Sequence, residues 1–70
     1  MNLKNNIKIF RFNNGQITQM ELAEKLEVSR QTIIAIENGK FNPSVKLALR
    51  IAALFQCTVE DLFYFEEDAL

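Results

Sequence analysis

Thr18-Gln19-Met20-Glu21-Leu22-Ala23-Glu24-Lys25-Leu26, then Glu27-Val28-Ser29, then Arg30-Gln31-Thr32-Ile33-Ile34-Ala35-Ile36-Glu37-Asn38 is the stretch that decides the fold. Thr18 with Glu21 three residues on fits a capping box, and Leu22, Ala23 and Leu26 follow at helical spacing. Ser29 is a good cap for a second helix, with Ile33 and Ile36 facing inward and Asn38-Gly39 as its stop. Three residues between two helices of about eight leave too little chain for the helices to lie antiparallel side by side. They must cross steeply, in helix-turn-helix geometry, with Ala23 at the crossing where only a small side chain fits. Arg30, Gln31, Ile34, Ala35 and Asn38 are left on the outside of the second helix.

Working outward, Asn13-Asn14-Gly15, Asn38-Gly39, Asn42-Pro43-Ser44 and Gln56-Cys57-Thr58 punctuate the chain as turns. The spacing predicts a first helix over roughly 5 to 13, with Ile7 and Phe10 on one face. A fourth helix starts near Pro43 or Ser44 and runs to about Phe55. A short fifth, capped by Thr58 with Asp61 three residues on, runs to about Phe63. The fourth is apolar almost all round and is expected to be central and buried. Phe63-Tyr64-Phe65 favours β structure and can pair with a strand near Asn2 to Lys4. No internal repeat, low-complexity segment or linker stands out. The fold class is therefore all-α: one domain over 1–70 with five helices, a core from 5 to 63 and a short terminal β pairing.

Composition excludes several functions. Seventy residues form one small domain with a thin stability margin. No His is present and Cys57 is alone, so a His/Cys zinc cluster, a Ser-His-Asp site and an internal disulfide are all ruled out. Gly15 and Gly39 are too far apart for a phosphate loop. Nothing points to an enzyme, a cofactor or a metal. No apolar run is long enough for a membrane helix, and the polar start lacks a signal-peptide core. A soluble cytoplasmic chain is expected. Net charge is −1, but residues 1–50 carry all eight Lys and Arg and sum to +4, while residues 51–70 sum to −5. That division points to an anionic partner for the first part. Cys57 reads as a small core residue.

Taken together, Thr18-Gln19-Met20-Glu21-Leu22-Ala23, Val28-Ser29-Arg30-Gln31-Thr32-Ile33, Ile36-Glu37-Asn38-Gly39-Lys40 and Asn42-Pro43-Ser44 resemble the Cro/phage-repressor type of helix-turn-helix regulators, also called the XRE family. The resemblance spans about residues 5 to 63 and is nearest to the small stand-alone bacterial and archaeal regulators. It implies a five-helix lambda-repressor-like domain whose third helix enters the DNA major groove. Arg30 and Gln31 fall where the family reads bases, with Ser29 and Ala35 at neighbouring groove positions. Arg suits guanine O6/N7 and Gln suits adenine N6/N7. Gln19 and Thr18, at the start of the second helix, and Asn38 and Lys40, just past the third, match contacts to the DNA backbone. Arg11 and Glu37 match a structural salt bridge. Lys4 and Lys8 read as ordinary surface lysines.

Several positions depart from the family pattern. Glu27 stands where the family usually has Gly, in the tight turn between the two crossing helices. A left-handed backbone is therefore expected there, at a cost of about 1 kcal/mol. Gln16 looks like an insertion that only lengthens its loop. Ile9 and Phe12 replace polar residues and can meet the aromatic tail; Ile34 reads either as core or as a contact to thymine methyls. The apolar surplus at the end of the fourth helix, the fifth helix and the tail 63–70 suggests a homodimer through Leu54, Phe55, Val59, Leu62, Phe63, Tyr64 and Phe65. The expected function is a nucleoid-associated repressor that binds double-stranded DNA at an inverted repeat. The alternative is an antitoxin-like module that binds a partner protein through its C-terminal apolar surface.

Overall fold

A computed structural model describes residues 1–67. The elements run β1 (Asn2–Asn5), α1 (Ile7–Asn13), α2 (Gln19–Leu26), α3 (Arg30–Glu37), α4 (Val45–Phe55), α5 (Val59–Leu62) and β2 (Phe63–Glu66). β1 and β2 form an antiparallel pair in the register Asn2↔Glu66, Leu3↔Phe65, Lys4↔Tyr64 and Asn5↔Phe63.

Four helices start at side chains that satisfy their free N–H groups. Thr18 Oγ1 accepts from Glu21 N–H at 3.0 Å, and the Glu21 carboxylate takes the Thr18 N–H at 3.1 Å. Thr58 and Asp61 repeat this reciprocal box. Ser29 caps α3 through Thr32 N–H, and Ser44 caps α4 through Leu47 N–H. α1 differs. It begins two residues later than the spacing predicts, because Asn5 is spent elsewhere. Asn5 pairs with Phe63 in the sheet, and its Nδ2 donates to the Ile36 carbonyl at 2.9 Å. Asn6 ties α1 to α5, with its backbone N–H on Leu62 O and its Nδ2 on Asp61 O. α5 stops at Leu62 because Phe63 has turned extended, at φ −119° and ψ 135°, to enter β2.

Ile7, Leu22, Ala23, Leu26, Ile33, Ile36, Ile51, Ala52, Phe55 and Leu62 form one buried cluster. Phe10 packs on it, its ring 5.7 Å from that of Phe55. Cys57 packs on its edge as a small apolar side chain. Among the described residues no polar or charged side chain is fully buried.

Two expectations are corrected here. α4 is not buried all round: Ala48, Ile51, Ala52 and Phe55 face the core, but Val45 and Leu49 are 77% and 56% exposed. Its apolar content exceeds what a single stripe against α2 and α5 uses. Phe55 and Leu62 keep only 5% and 0% of their surface exposed within the single chain, so neither has side-chain area to give a second copy.

A repeated junction also appears where the sequence shows no repeat. Glu27 closes α2 in the left-handed conformation (φ 58°), and Val28 N–H reaches back to Ala23 O at 3.0 Å. Gln56 closes α4 in the same way (φ 55°), and Cys57 N–H reaches back to Ala52 O at 3.0 Å. A small residue, Ala23 or Ala52, sits buried at each bend, and Ser29 or Thr58 caps the helix that follows. Gln16 is left-handed too (φ 56°) and follows left-handed Gly15, so it shapes its loop as well as lengthening it.

A left-handed Glu or Gln carries a steric cost of roughly 1 kcal/mol that Gly avoids, partly offset by the extra freedom Gly has when unfolded. Glu27→Gly and Gln56→Gly are each expected to stabilise by up to about 1 kcal/mol, which raises the Tm of a domain this size by about 4–8 °C. Thermal melts followed by circular dichroism check this, and a lower Tm in both variants would contradict the strain.

Candidate nucleic-acid interface

The centre of the site is a carboxylate. Glu37, in the last turn of α3, receives the Arg11 fork from α1, Nε on Oε2 at 2.8 Å and Nη2 on Oε1 at 3.1 Å. Gln19, the first residue of α2, adds its Nε2 on the same Oε1 at 3.2 Å. Arg11 Nη1 also donates to the Ile17 carbonyl at 3.0 Å, which holds the loop that leads into α2. The side chains of Arg11 and Glu37 are only 14% and 8% exposed. A forked, half-shielded pair of this kind is stronger than an exposed ion pair. Arg11 and Glu37 thus form a forked ion pair that joins α1 to the end of α3. Gln19 joins it, a contact between positions 18 residues apart that no sequence spacing marks.

This network fixes the angle at which α3 presents its outer face. Ile33 and Ile36 bury the inner face, and α2 packs across it. Arg30 and Gln31 stand exposed on the first outward turn. Ser29 is exposed beside them, but its hydroxyl is engaged: it accepts from Thr32 N–H and lies 2.9 Å from Thr32 Oγ1. Ala35 is half-buried, and its carbonyl takes the N–H groups of Lys40 and Phe41, which folds the chain back past the end of α3. Asn38 and Lys40 are exposed at that end. Thr18 is exposed at the start of α2 with its oxygen and N–H both used in the capping box. Ile34 is half-buried and lies outside the buried cluster.

Phe12 is 66% exposed and lines a cleft with Met20 and Arg30, while Ile9 lines another with Asn5 and Asn38. Burial first, and then the nearby Asp61 carboxylate, pushes the Cys57 thiol up, so it stays protonated near neutral pH and offers no nucleophile. No group of metal-binding side chains occurs among the described residues, and no helix there is long and apolar enough to cross a membrane.

Exposed guanidinium and amide groups on the first turn of α3, with an amide and an ammonium just past its end, match what base edges and phosphates require. Known proteins agree. Residues 13–62 match the helix-turn-helix family. The chain belongs to the helix-turn-helix family of transcriptional regulators. This regulator is 53% identical over 66 residues to an uncharacterized HTH-type transcriptional regulator of Methanocaldococcus jannaschii, covering 94% of this chain and 98% of the relative. A second such regulator, from Bacillus subtilis, is 42% identical, with the same shares covered. Among solved structures, a "putative DNA-binding protein" from Bacteroides fragilis superposes with a TM-score of 0.75 at 27% identity, over 89% of this chain and 98% of that one. The family is one of transcription regulators, not of enzymes.

Replacing one partner of the bridge strands the other in a half-shielded place. Arg11→Met is expected to cost the regulator about 3 kcal/mol. The double variant Arg11→Met/Glu37→Met should lose less than the two single losses combined, because no charge is then left without its partner. Urea denaturation of the four proteins measures this, and additive losses would contradict the coupling.

Proposed function

We propose that this regulator is a sequence-specific repressor that binds an inverted-repeat operator in double-stranded DNA as a homodimer. The observation that carries the reading is the presentation of Arg30 and Gln31. Both are exposed on the first turn of a helix whose other face is buried and whose end is bolted to α1 and α2. A base reader must be held in register, because a hydrogen bond to a base edge tolerates little misplacement. Arg30 and Gln31 read bases, Ser29 and Ala35 flank them, and Gln19, Thr18, Asn38 and Lys40 contact the sugar-phosphate backbone.

The second copy docks through the C-terminal aromatic surface. Tyr64 and Phe65 are 41% and 65% exposed on β2, and Leu54, Val59 and Phe63 are half-buried. Two such chains related by a two-fold axis set their third helices about 34 Å apart, one turn of the duplex. Repression follows from occupying a promoter in the nucleoid. The exposed Tyr64 and Phe65 also favour a second reading, an antitoxin-like module whose aromatic surface binds a partner protein; a stable partner that co-purifies from the host marks it.

Selection of bound DNA from a random duplex pool at about 0.15 M salt tests the proposal. An inverted repeat with half-sites roughly one helical turn apart is expected. Arg30→Ala/Gln31→Ala should stay folded and lose that preference, each bidentate pair contributing about 1–3 kcal/mol of discrimination. Sedimentation should find a dimer, converted to monomer by Tyr64→Ala/Phe65→Ala. Sequence-indifferent binding that fades steeply with salt would overturn the repressor reading and direct the search to a protein partner.

A further inference from the structure

We propose that Lys8 anchors a phosphodiester of the DNA backbone in a trough between α1 and the start of α2, an assignment that rests on the DNA-binding reading above. The sequence leaves Lys8 among the ordinary surface lysines. The fold does not. Two adjoining clefts share the side chain of Lys8. The first also holds Phe12, Thr18, Gln19, Met20 and Arg30. The second holds Asn5, Ile9, Gln19, Glu37 and Asn38. Lys8 thus stands between Arg30, which begins the exposed face of α3, and Asn38, which ends it.

The charge in this trough is uneven. Among the described residues its one carboxylate is Glu37, which is already paired with Arg11 and bonded by Gln19. Arg11 is neutralised by the same contact. Lys8 and Arg30 make no ion pair among the described residues, so two full positive charges face the same concave surface unopposed. An ammonium on a flexible stem is suited to a phosphate as a point charge. Phe12 and Met20 line the first cleft and are both largely exposed. Their apolar surface fits the faces of the sugars that flank a phosphate, a role that polar residues at those positions would fill less well. The continuity of the trough with Arg30 commits the occupant to the same duplex that α3 reads.

The test is the salt dependence of binding, measured on the duplex enriched by selection and on a scrambled duplex of the same length and composition. Lys8→Met keeps the length of the side chain and removes its charge. A lost phosphate contact lowers the slope of log K against log[salt] by about 0.9 per chain and weakens binding at 0.15 M salt about fivefold per chain. The loss should be the same on both duplexes, since a phosphate carries no sequence. Lys8→Arg should restore both slope and affinity. Lys25→Met, the same charge change on an exposed position of α2 outside both clefts, should move the slope far less. A Lys8→Met slope equal to that of the unaltered protein, or no larger in effect than Lys25→Met, would overturn the assignment and leave the DNA-binding reading standing. A change in the selected sequence with Lys8→Met would make Lys8 a base reader and overturn it as well. If the unaltered protein shows no salt-dependent binding to either duplex, the assignment and the reading beneath it fall together.

Discussion

Three helices meet at the Glu37 carboxylate, and the rest of the structure depends on that meeting. Arg11 brings α1 to it, Gln19 brings the start of α2, and Glu37 itself is the last residue of α3. In a chain of 70 residues the apolar core alone supplies little stability and little directional constraint. Apolar contacts are non-directional, so they allow α3 to rock or turn against α2 at modest cost. A forked guanidinium–carboxylate pair is directional and resists such motion. Arg11 adds a further bond to Ile17 O, and Asn5 adds one to Ile36 O, so the end of α3 is gripped by α1, α2 and β1 together. The helix that presents Arg30 and Gln31 is thus anchored at its far end, and its first turn is held by the Ser29 cap and the short bend from α2.

Economy elsewhere supports that arrangement. The same bend serves twice, at Glu27 and at Gln56, with a buried alanine beneath and a hydroxyl cap after it. Both bends accept a strained backbone at a non-glycine residue. What the bend secures is a steep crossing within three residues, which lets α2 lie across α3 and α5 pack against α4. The two strands then complete the domain: β1 pairs with β2, and Asn5 ties the pair to the end of α3.

The local features were legible in the sequence because their causes are local. A capping box joins residues three apart, so Thr18 with Glu21 and Thr58 with Asp61 announce themselves. The left-handed turn at Glu27 was legible only through the resemblance to a family that has glycine there. At Gln56 the sequence marks only a turn, with nothing to show that its backbone is left-handed. The outer face of α4 is not legible, because composition counts apolar residues without counting the neighbours available to cover them. For the same reason the sequence does not separate Phe55 and Leu62, which the chain's own core consumes, from the exposed aromatic residues that follow. Lys8 and the bond between Gln19 and Glu37 could not be read at all. Each depends on the angle between α1 and α2, which is set by contacts 18 and 26 residues apart in sequence.

That angle also explains why the total charge is a poor guide to the partner. At −1 the chain as a whole is indifferent to a polyanion. Yet at physiological ionic strength a charge is felt over about 8 Å, less than the length of α3, whose eight residues span about 12 Å. A phosphate therefore answers to the groups that surround it and hardly to the sum. Among the described residues no acid after Ile51 lines either cleft beside Lys8, and the one carboxylate that does is already paired. Pairing Glu37 with Arg11 thus serves the surface as well as the fold. It neutralises the negative charge that would otherwise stand beside Lys8, and it does so without consuming Lys8 or Arg30.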